Sequence, residues 1–267
     1  TSMPPPIRYH GVDSATRRQS DTPRNRTRRW PLEIMLFAGA LLVYQLSRAF
    51  VIGDASDAVR NAWGIIDIEK ASGIFFEASV QNWMLDNLQL AQFLNHFYVW
   101  AHLPVTAAFF VWLYRARRGQ YPFVRNAFFV ANGIALAVFV VFPVAPPRLM
   151  TSEGFIDTLS IISGIDLHAG SLSGWFNPFA AVPSMHFAYA LMIGVVVAVL
   201  ARHWAVRIAV LTYPVLVFIA IVGTANHYVL DALAGGAVMI AAFATTELAR
   251  TWLSRRRRSS ASGVCVD

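Results

Sequence analysis

Residues 180–194, AAVPSMHFAYALMIG, decide the fold, because an apolar run begins here with a serine and a histidine. The run is apolar enough to start a membrane helix, yet Ser184 and His186 lie two residues apart at its N-terminal end. Pro183 suits the first turn of a helix, since its missing N–H would have no partner there. Ionisable residues beside a membrane span are costly and usually functional, so this helix start is a candidate site.

The composition of the whole chain is that of a membrane protein. Of 267 residues, 56% are hydrophobic and only 14% are charged. These values exclude a disordered chain and an ordinary soluble domain. The single cysteine, Cys265, cannot form an internal disulfide, so it indicates nothing about the compartment.

Six apolar runs are long enough to cross about 30 Å of hydrocarbon. They cover residues 31–52, 89–114, 122–144, 181–201, 205–223 and 227–249. Helices are predicted for all six, because lipid leaves backbone groups no other partner and no run alternates like a barrel strand. We therefore expect an all-α membrane protein, a six-transmembrane-helix bundle at 31–250 between basic tails at 1–30 and 251–267.

The basic residues indicate the orientation of this bundle. They cluster among the N-terminal arginines, at 115–120, at 202–207 and at 255–258. By the positive-inside rule these clusters face the cytoplasm, which places both termini inside and the intervening segments outside. The net charge of +7 then reflects anchoring to anionic headgroups. Nucleic-acid binding is not expected, because no nucleic-acid module accompanies the basic residues. The expected location is a bacterial plasma membrane.

Three polar stretches are predicted to meet at the outer face. FPVAPPRLM, residues 142–150, leaves the third span with Arg148, and AVPSMHF, residues 181–187, begins the fourth span. GTANHYVLDALAGG, residues 223–236, joins the last two spans and carries His227 and Asp231. A spacing of four places these two side chains on one helical face, where the aspartate can orient the imidazole.

Each of these features has a simpler explanation when it is taken alone. A histidine at the membrane interface can be a wetted amphipathic side chain, and Arg148 can anchor to a headgroup. Together they predict phosphate chemistry, because arginine and a helix-start serine recognise phosphate. One histidine would attack phosphorus while the other protonates the leaving oxygen, which gives a phosphohistidine intermediate.

The motifs PVAPPR (143–148), PSMH (183–186) and NHYVLDALAGG (226–236) resemble those of the type 2 phosphatidic acid phosphatase superfamily. The resemblance covers roughly 90–245 and is stronger to the branch that includes inositol phosphorylceramide synthases. It implies a six-helix fold, an active site at the outer surface and a reaction without a metal or other cofactor. The implied roles are nucleophile for His227, orienting partner for Asp231, general acid for His186, and phosphate ligands for Arg148 and Ser184.

The chain departs from the superfamily pattern where cations are usual. Val141 replaces a lysine seven residues before the arginine, and Ala220 and Ile221 replace a Ser-Arg pair ahead of the histidine. Without those cations, charge balance favours a phosphodiester donor with one negative charge over a dianionic monoester. Other cations in the outer segments are candidates to restore the missing charge: Arg60, Lys70 and His168.

Further candidates follow from position alone. Zinc binding by two histidines and Asp231, a set that His168 would complete, is the less favoured alternative, because the chain lacks H-x-x-x-H and paired cysteines. In the acidic outer segment 53–88, IFFEASVQNWML at 74–85 is predicted to form an interfacial helix.

His102 in the second span is expected to pack between helices. The candidate substrate contacts are Asn95, Asn226 and Tyr228.

The sequence thus predicts an integral membrane lipid phosphotransferase, inositolphosphotransferase-like, that acts on a lipid phosphate or phospholipid in the bilayer. A lipid phosphate phosphatase is the nearest alternative, because the two differ only in whether water or a lipid hydroxyl accepts the phosphoryl group. A proton-coupled lipid transporter is a distant alternative, and it predicts ionisable residues through the depth of the membrane. The donor headgroup and the oligomeric state are not predicted.

Overall fold

The computed structural model describes residues 30–47, 54–166 and 177–262. Within these ranges the regular structure is helical, and an isolated parallel bridge between Val144 and Ala180 is the one β-type pairing. The all-α prediction is therefore confirmed for the described residues. The predicted basic tail at 1–30 lies outside them except for Trp30.

The described helices are named in chain order. They are α1 (Trp30–Ser47), α2 (Ala55–Ser72), α3 (Glu77–Leu85), α4 (Leu88–Ala116), α5 (Tyr121–Val141), α6 (Thr158–Ser163), α7 (Met185–Leu200), α8 (Trp204–Gly223) and α9 (Val229–Ser262). A π-helical turn at Phe97–Ala101 interrupts α4. The chain divides into two units, Thr1–Leu42 and Val43–Asp267, and the packing described below lies in the second.

Four described helices are long and apolar enough to cross a membrane: Leu88–Ala116, Tyr121–Val141, Trp204–Gly223 and Val229–Arg257. The other two predicted spans, 31–52 and 181–201, correspond to the shorter apolar helices Trp30–Leu46 and Met185–Leu200. A helix of 16 residues is about 24 Å long, which is less than the hydrocarbon thickness of about 30 Å. Four spans support a multi-pass membrane protein, and the count of six stays a prediction.

The bundle is built around α7, which packs against both α8 and α9. Small residues on α7 bring the helix axes close together. A Cβ added to Gly194 would lie 3.1 Å from the Val210 carbonyl oxygen and 3.2 Å from the Pro214 ring. Large apolar side chains on the outside of the helices remain exposed, Leu103 and Trp204 among them, as expected for surfaces that face lipid.

The acidic segment that is predicted to lie outside forms two helices, α2 and α3, that pack into the molecule. Helix α2 begins at a capping box on Asp54 and ends at Gly73, whose φ of 71° suits glycine. Helix α3 lies within the stretch that is predicted to be an interfacial helix, but Glu77, Gln81 and Met84 on it are buried. The segment is therefore helical as predicted, and α3 contributes to the core instead of only resting on a surface.

One hydrophobic cluster joins α2 to the loops at a single end of the bundle. Ala58 and Ile66 of α2 pack with Ala145, Phe155 and other buried residues of these loops, including Ala225 and Tyr228. The arginine-bearing turns 117–120 and 201–203 lie at the other ends of α5 and α7. At the carboxyl end of the chain, α9 continues as a helix to Ser262, past residue 250 where the tail is predicted to begin.

Candidate active site

The three polar stretches meet through backbone hydrogen bonds. The Val144 N–H donates to the Phe179 carbonyl at 2.8 Å and links the first stretch to the segment before α7. The Arg148 N–H donates to the Ala225 carbonyl at 2.8 Å, and the Ser184 N–H donates to the Asp231 carbonyl at 2.9 Å. The structure therefore brings together the segments that the sequence predicts to converge.

His227 lies in the turn before α9 and is held at one ring nitrogen. Its Nδ1 is 3.0 Å from the Ala181 carbonyl oxygen and 3.2 Å from Asp231 Oδ2. Both neighbours accept hydrogen bonds, so Nδ1 carries the hydrogen and Nε2 keeps its lone pair. The imidazole is thus fixed in the tautomer that a nucleophile needs.

Asp231 accepts a backbone hydrogen bond in addition to its bond with His227. The same Oδ2 atom accepts the Tyr228 N–H at 2.9 Å, which satisfies one of the amides at the start of α9. The aspartate is fully buried, and its Oδ1 atom has no hydrogen-bond partner among the described residues. A carboxylate at a helix N-terminus is also stabilised by the helix dipole. Asp231 therefore sets both the histidine tautomer and the helix start.

Arg148 is buried and is oriented by Asn226. The Arg148 Nη1 donates to Asn226 Oδ1, and Asn226 Nδ2 donates to Thr224 Oγ1 at 2.7 Å. The Nε of Arg148 is buried with no partner among the described residues, so the guanidinium retains a free donor. Both polar atoms of Asn226 bond inside the protein, which favours a role in positioning Arg148. Its predicted contact with substrate stays untested.

Ser184 occupies the N-cap of α7, not the first turn. The helix begins at Met185, and the Phe187 N–H reaches Ser184 Oγ at 3.5 Å. Pro183 therefore precedes the cap, which differs from the expectation that the proline lies in the helix start. The α9 backbone approaches so closely that a Cβ on Gly235 would lie 2.2 Å from the Ser184 carbonyl oxygen. Only glycine fits at this contact.

His186 is held between aromatic rings. Its ring centroid lies 4.4 Å from that of Tyr98 and 4.2 Å from that of His102. The His102 ring also stacks on Tyr189 at 5.0 Å. The π-helical turn lies between Asn95 and His102, and π turns are frequent at functional sites. The packing role that the sequence assigns to His102 agrees with these contacts.

His186 lies close to His227 and also lines a small cavity. Their ring centroids are 5.8 Å apart. The cavity has a volume of about 10 Å³, and its lining comprises Phe97, Tyr98, His102, His186, Tyr213, Val217, Ala220 and Ile221. This is about the room that one water needs, so a lipid chain would enter only after side chains move. Ala220 and Ile221 make the wall apolar where the superfamily usually has a cation.

Two of the candidate substrate contacts make structural bonds. The amide of Asn95 donates to the Thr158 carbonyl at 2.8 Å and to Ser163 Oγ at 2.9 Å. The Thr158 hydroxyl donates back to Asn95 Oδ1 at 3.0 Å, so this side chain fixes α6 against α4. The Tyr228 hydroxyl donates to the Ala145 carbonyl at 3.2 Å. Their contact with substrate also remains a prediction.

Cations are scarce at this end of the molecule. Among the described residues, Arg148 is the one buried lysine or arginine. Arg60 pairs with Asp57 on the surface, and Lys70 Nζ lies 2.7 Å from Glu153 Oε2. His168 lies outside the described residues. The described part of the chain also contains no group of three His, Cys, Asp or Glu side chains that could hold a metal ion.

The sequence does not predict two buried glutamates behind the site. Glu77 Oε1 accepts the Val229 N–H at 2.9 Å, and Glu69 Oε1 accepts the Leu230 N–H at 2.7 Å. Both side chains are fully buried. The one available signal was the position of Glu77 within the apolar run IFFEASV, where a solvated charge is out of place.

Comparison with protein families gives a match to the model described as PAP2 superfamily over residues 63–245. The chain belongs to the PAP2 superfamily. Members are generally phosphatases, so membership supports an enzyme of the phosphatase or phosphotransferase kind. The match begins at residue 63, earlier than the predicted 90, and includes all of α3 and half of α2. Comparisons with curated proteins and with solved structures found no match.

Proposed function

We propose that this PAP2 superfamily member is an inositolphosphotransferase-like lipid phosphotransferase that acts through a phosphohistidine on His227. The observation that carries the proposal is the charge of the site. Arg148 is the one buried cation in the described part of the chain, and the carboxylates of Asp231, Glu69 and Glu77 are buried nearby. Such a site balances one phosphate charge better than two.

The residues that replace the usual cations also support a phosphodiester donor. Val141 is 66% exposed at the end of α5, on the outside of the bundle. Ala220 and Ile221 are buried and apolar, and they line the cavity beside His186. A phosphodiester carries one negative charge and a monoester carries close to two, so a diester requires less compensating charge.

The geometry supports a reaction in two steps. His227 Nε2 attacks phosphorus, a P–N bond forms, and the P–O bond to the leaving lipid alcohol breaks while His186 protonates that oxygen. In the second step an acceptor hydroxyl gives its proton to His186 and displaces the phosphoryl group from His227. Arg148 and Ser184 bind the phosphate oxygens throughout. We expect no metal requirement, so EDTA should leave the rate unchanged.

The arrangement of basic residues supports an active site on the extracytoplasmic side. The site lies at one end of α5 and α7, and the arginine-bearing turns follow α4 and α7 at the other end. By the positive-inside rule those turns face the cytoplasm. A lipid phosphate phosphatase is the second candidate, because PAP2 members are generally phosphatases, and water then replaces the acceptor hydroxyl.

Matched donors test the proposal. Purified protein in mixed micelles is given phosphatidylinositol or phosphatidic acid with the same acyl chains, together with ceramide or diacylglycerol as acceptor. Mass spectrometry follows inositol phosphate transfer and phosphate release, with His227→Ala as the control. Transfer from the diester that depends on His227 supports the transferase. Phosphate release from phosphatidic acid alone would favour the phosphatase and refute the charge argument.

A further inference from the structure

Three carboxylates bind three successive amides at the start of α9. Asp231 accepts the Tyr228 N–H, Glu77 accepts the Val229 N–H, and Glu69 accepts the Leu230 N–H, at distances of 2.7–2.9 Å. The first amides of a helix have no partner within the helix, and anions there are favoured by the dipole. The start of α9 is therefore occupied by the protein's own anions and is not available to bind phosphate.

The second oxygens of the two glutamates are buried and unbonded. Glu69 Oε2 and Glu77 Oε2 have no donor among the described residues. The described part of the chain contains no group of three His, Cys, Asp or Glu side chains that could hold a metal ion. Burial and the neighbouring Glu77 carboxyl raise the pKa of Glu69 to about 9. At neutral pH a proton therefore remains on this pair.

We propose that Glu69 and Glu77 share one proton and, as a hydrogen-bonded acid pair, position the first turn of α9 that carries His227 and Asp231. Glu69 donates from Oε2 to Glu77, and each residue keeps Oε1 for its backbone amide. Neither residue touches the substrate, so both are positioning residues. Their effect on catalysis depends on the function proposed above, whereas the shared proton does not.

Energetics favour a single proton over none or two. Two adjacent buried carboxylates that are both ionised repel each other and lose their hydration. The ionisable groups next to the pair add no buried positive charge. Asp231 acts on Glu69, and Tyr228 at the start of α9 is affected by both glutamates. Lys70, next to Glu69, is exposed and is paired with Glu153. One shared proton removes the repulsion, and the hydrogen bond that it forms gives the Oε2 atoms of both glutamates a partner.

The pair places α2 and α3 in the support of the catalytic turn. Each glutamate joins its own helix to α9, more than 150 positions away in sequence. Movement of either helix would displace the amides of Val229 and Leu230, and with them the turn that holds His227. The pair also makes this support sensitive to alkaline pH, because loss of the proton restores the repulsion.

Glutamine substitutions separate a shared proton from two independent contacts. In Glu69→Gln or Glu77→Gln, the amide NH2 replaces the donating O–H, so each single variant should keep kcat within about threefold. In the double variant two NH2 groups face each other without an acceptor, and kcat should fall by about tenfold or more beyond the product of the single effects. Asp67→Asn, which changes an exposed carboxylate on α2, is the matched control.

The pH dependence provides a second readout. The folded protein holds this proton up to a pH of about 9, against an ordinary value of 4.5, so its contribution to stability falls as pH rises above 4.5 and is gone above about 9. Wild-type thermal stability should fall across that window and kcat should fall in a step near its upper end. Glu69→Gln should lack this step and the fall in stability, while Asp67→Asn retains both. Additive single and double effects, or an unchanged step in Glu69→Gln, would overturn the proposal.

An infrared measurement tests the pair without any assay of activity. At neutral pH the wild-type protein should show the C=O stretch of a protonated buried carboxyl, and the band should disappear in both Glu69→Gln and Glu77→Gln. Absence of the band in wild type would overturn the shared proton. If the band is present but no phosphate ester reacts, the proposed function fails and the acid pair stands.

Discussion

The two helix starts that carry the histidines are held in different ways. At the start of α9, His227 is bonded to Asp231 and the Ala181 carbonyl, and three carboxylates fill the first amides. At the start of α7, Ser184 is a weak cap at 3.5 Å, and within the described residues His186 makes ring contacts without a hydrogen bond. The His227 ring is therefore held by hydrogen bonds, whereas the His186 ring is held by ring contacts.

This difference fits the two roles proposed for the histidines. A nucleophile requires one tautomer and one orientation, which the bonds at Nδ1 supply. A group that gives a proton in one step and takes one in the next must exchange partners, and ring stacking leaves both nitrogens free to do so. The contrast between the helix starts therefore predicts different results when each histidine or its support is changed.

Replacement of the histidines should give the largest effects. His227→Ala should abolish turnover with every donor, because no other side chain can form the intermediate. His186→Ala should lower kcat by about 10²–10⁴-fold with a lipid alcohol as leaving group. In the first step, measured as the burst of p-nitrophenol release, its defect should nearly vanish with a p-nitrophenyl phosphodiester, whose leaving group needs no proton. Equal defects of His186→Ala with both leaving groups would contradict its role as the acid.

Contact between the two helix starts should depend on one glycine. Gly235→Ala places a methyl group 2.2 Å from the Ser184 carbonyl oxygen, and overpacking against backbone costs about 1–3 kcal/mol or more. We expect reduced thermal stability and a loss of kcat. Gly236→Ala is the matched control, because its nearest neighbour would be Phe187 Cε1 at an ordinary 3.5 Å. Similar stability of the two variants would show that the helix starts are not in close contact.

Arg148→Lys should separate charge from geometry at the phosphate. Lysine keeps the positive charge but loses the planar fork and the bond to Asn226, so we expect KM to rise and kcat/KM to fall by about 10–100-fold. Asn226→Ala should give a smaller loss of the same kind, because the guanidinium remains but is no longer oriented. Steady-state kinetics with phosphatidylinositol measure both, and a larger defect for Asn226→Ala would indicate direct contact with substrate.

Asn95→Ala should produce the smallest catalytic effect. Removal of its bonds to Thr158 and Ser163 leaves buried polar groups unpaired and should lower stability by about 1–3 kcal/mol. KM for the lipid should change little, since the amide points into α6. Thermal unfolding in detergent and steady-state kinetics provide the two readouts. A large rise in KM with unchanged stability would instead establish Asn95 as a substrate contact.

The candidate active site is largely predictable from the sequence, and the buried glutamates behind it are not. The spacing of four residues predicts the pair of His227 and Asp231, but His227 lies in the turn before α9 and not on a helical face that it shares with Asp231. Topology predicts that Arg148, Ser184 and His186 lie at the same end. Glu69 and Glu77 reach α9 across more than 150 residues. No local sequence pattern encodes such a contact, and acidic residues in a segment between two membrane spans are usually solvated.

Helix ends and the hydrogen-bond partners of side chains are also only partly predictable from the sequence. Apolar runs identify α4, α5, α8 and α9, but the start of α7 depends on the Ser184 cap rather than on hydropathy. The polar side chain of Asn95 suggests a ligand, and only the fold reveals α6 as its partner. Prediction therefore succeeds where chemistry is local in sequence and fails where distant helices share buried polar groups.

The most direct test of the central proposal is to identify the covalent intermediate. The enzyme is mixed with phosphatidylinositol, quenched in alkali during turnover and digested, and the peptide that contains His227 is analysed by mass spectrometry. We predict an inositol phosphate adduct on His227, with His186→Ala and wild type labelled at the same residue. A bare phosphoryl group that forms only from phosphatidic acid would establish a phosphatase. Turnover without any adduct on His227 would contradict the proposed nucleophile.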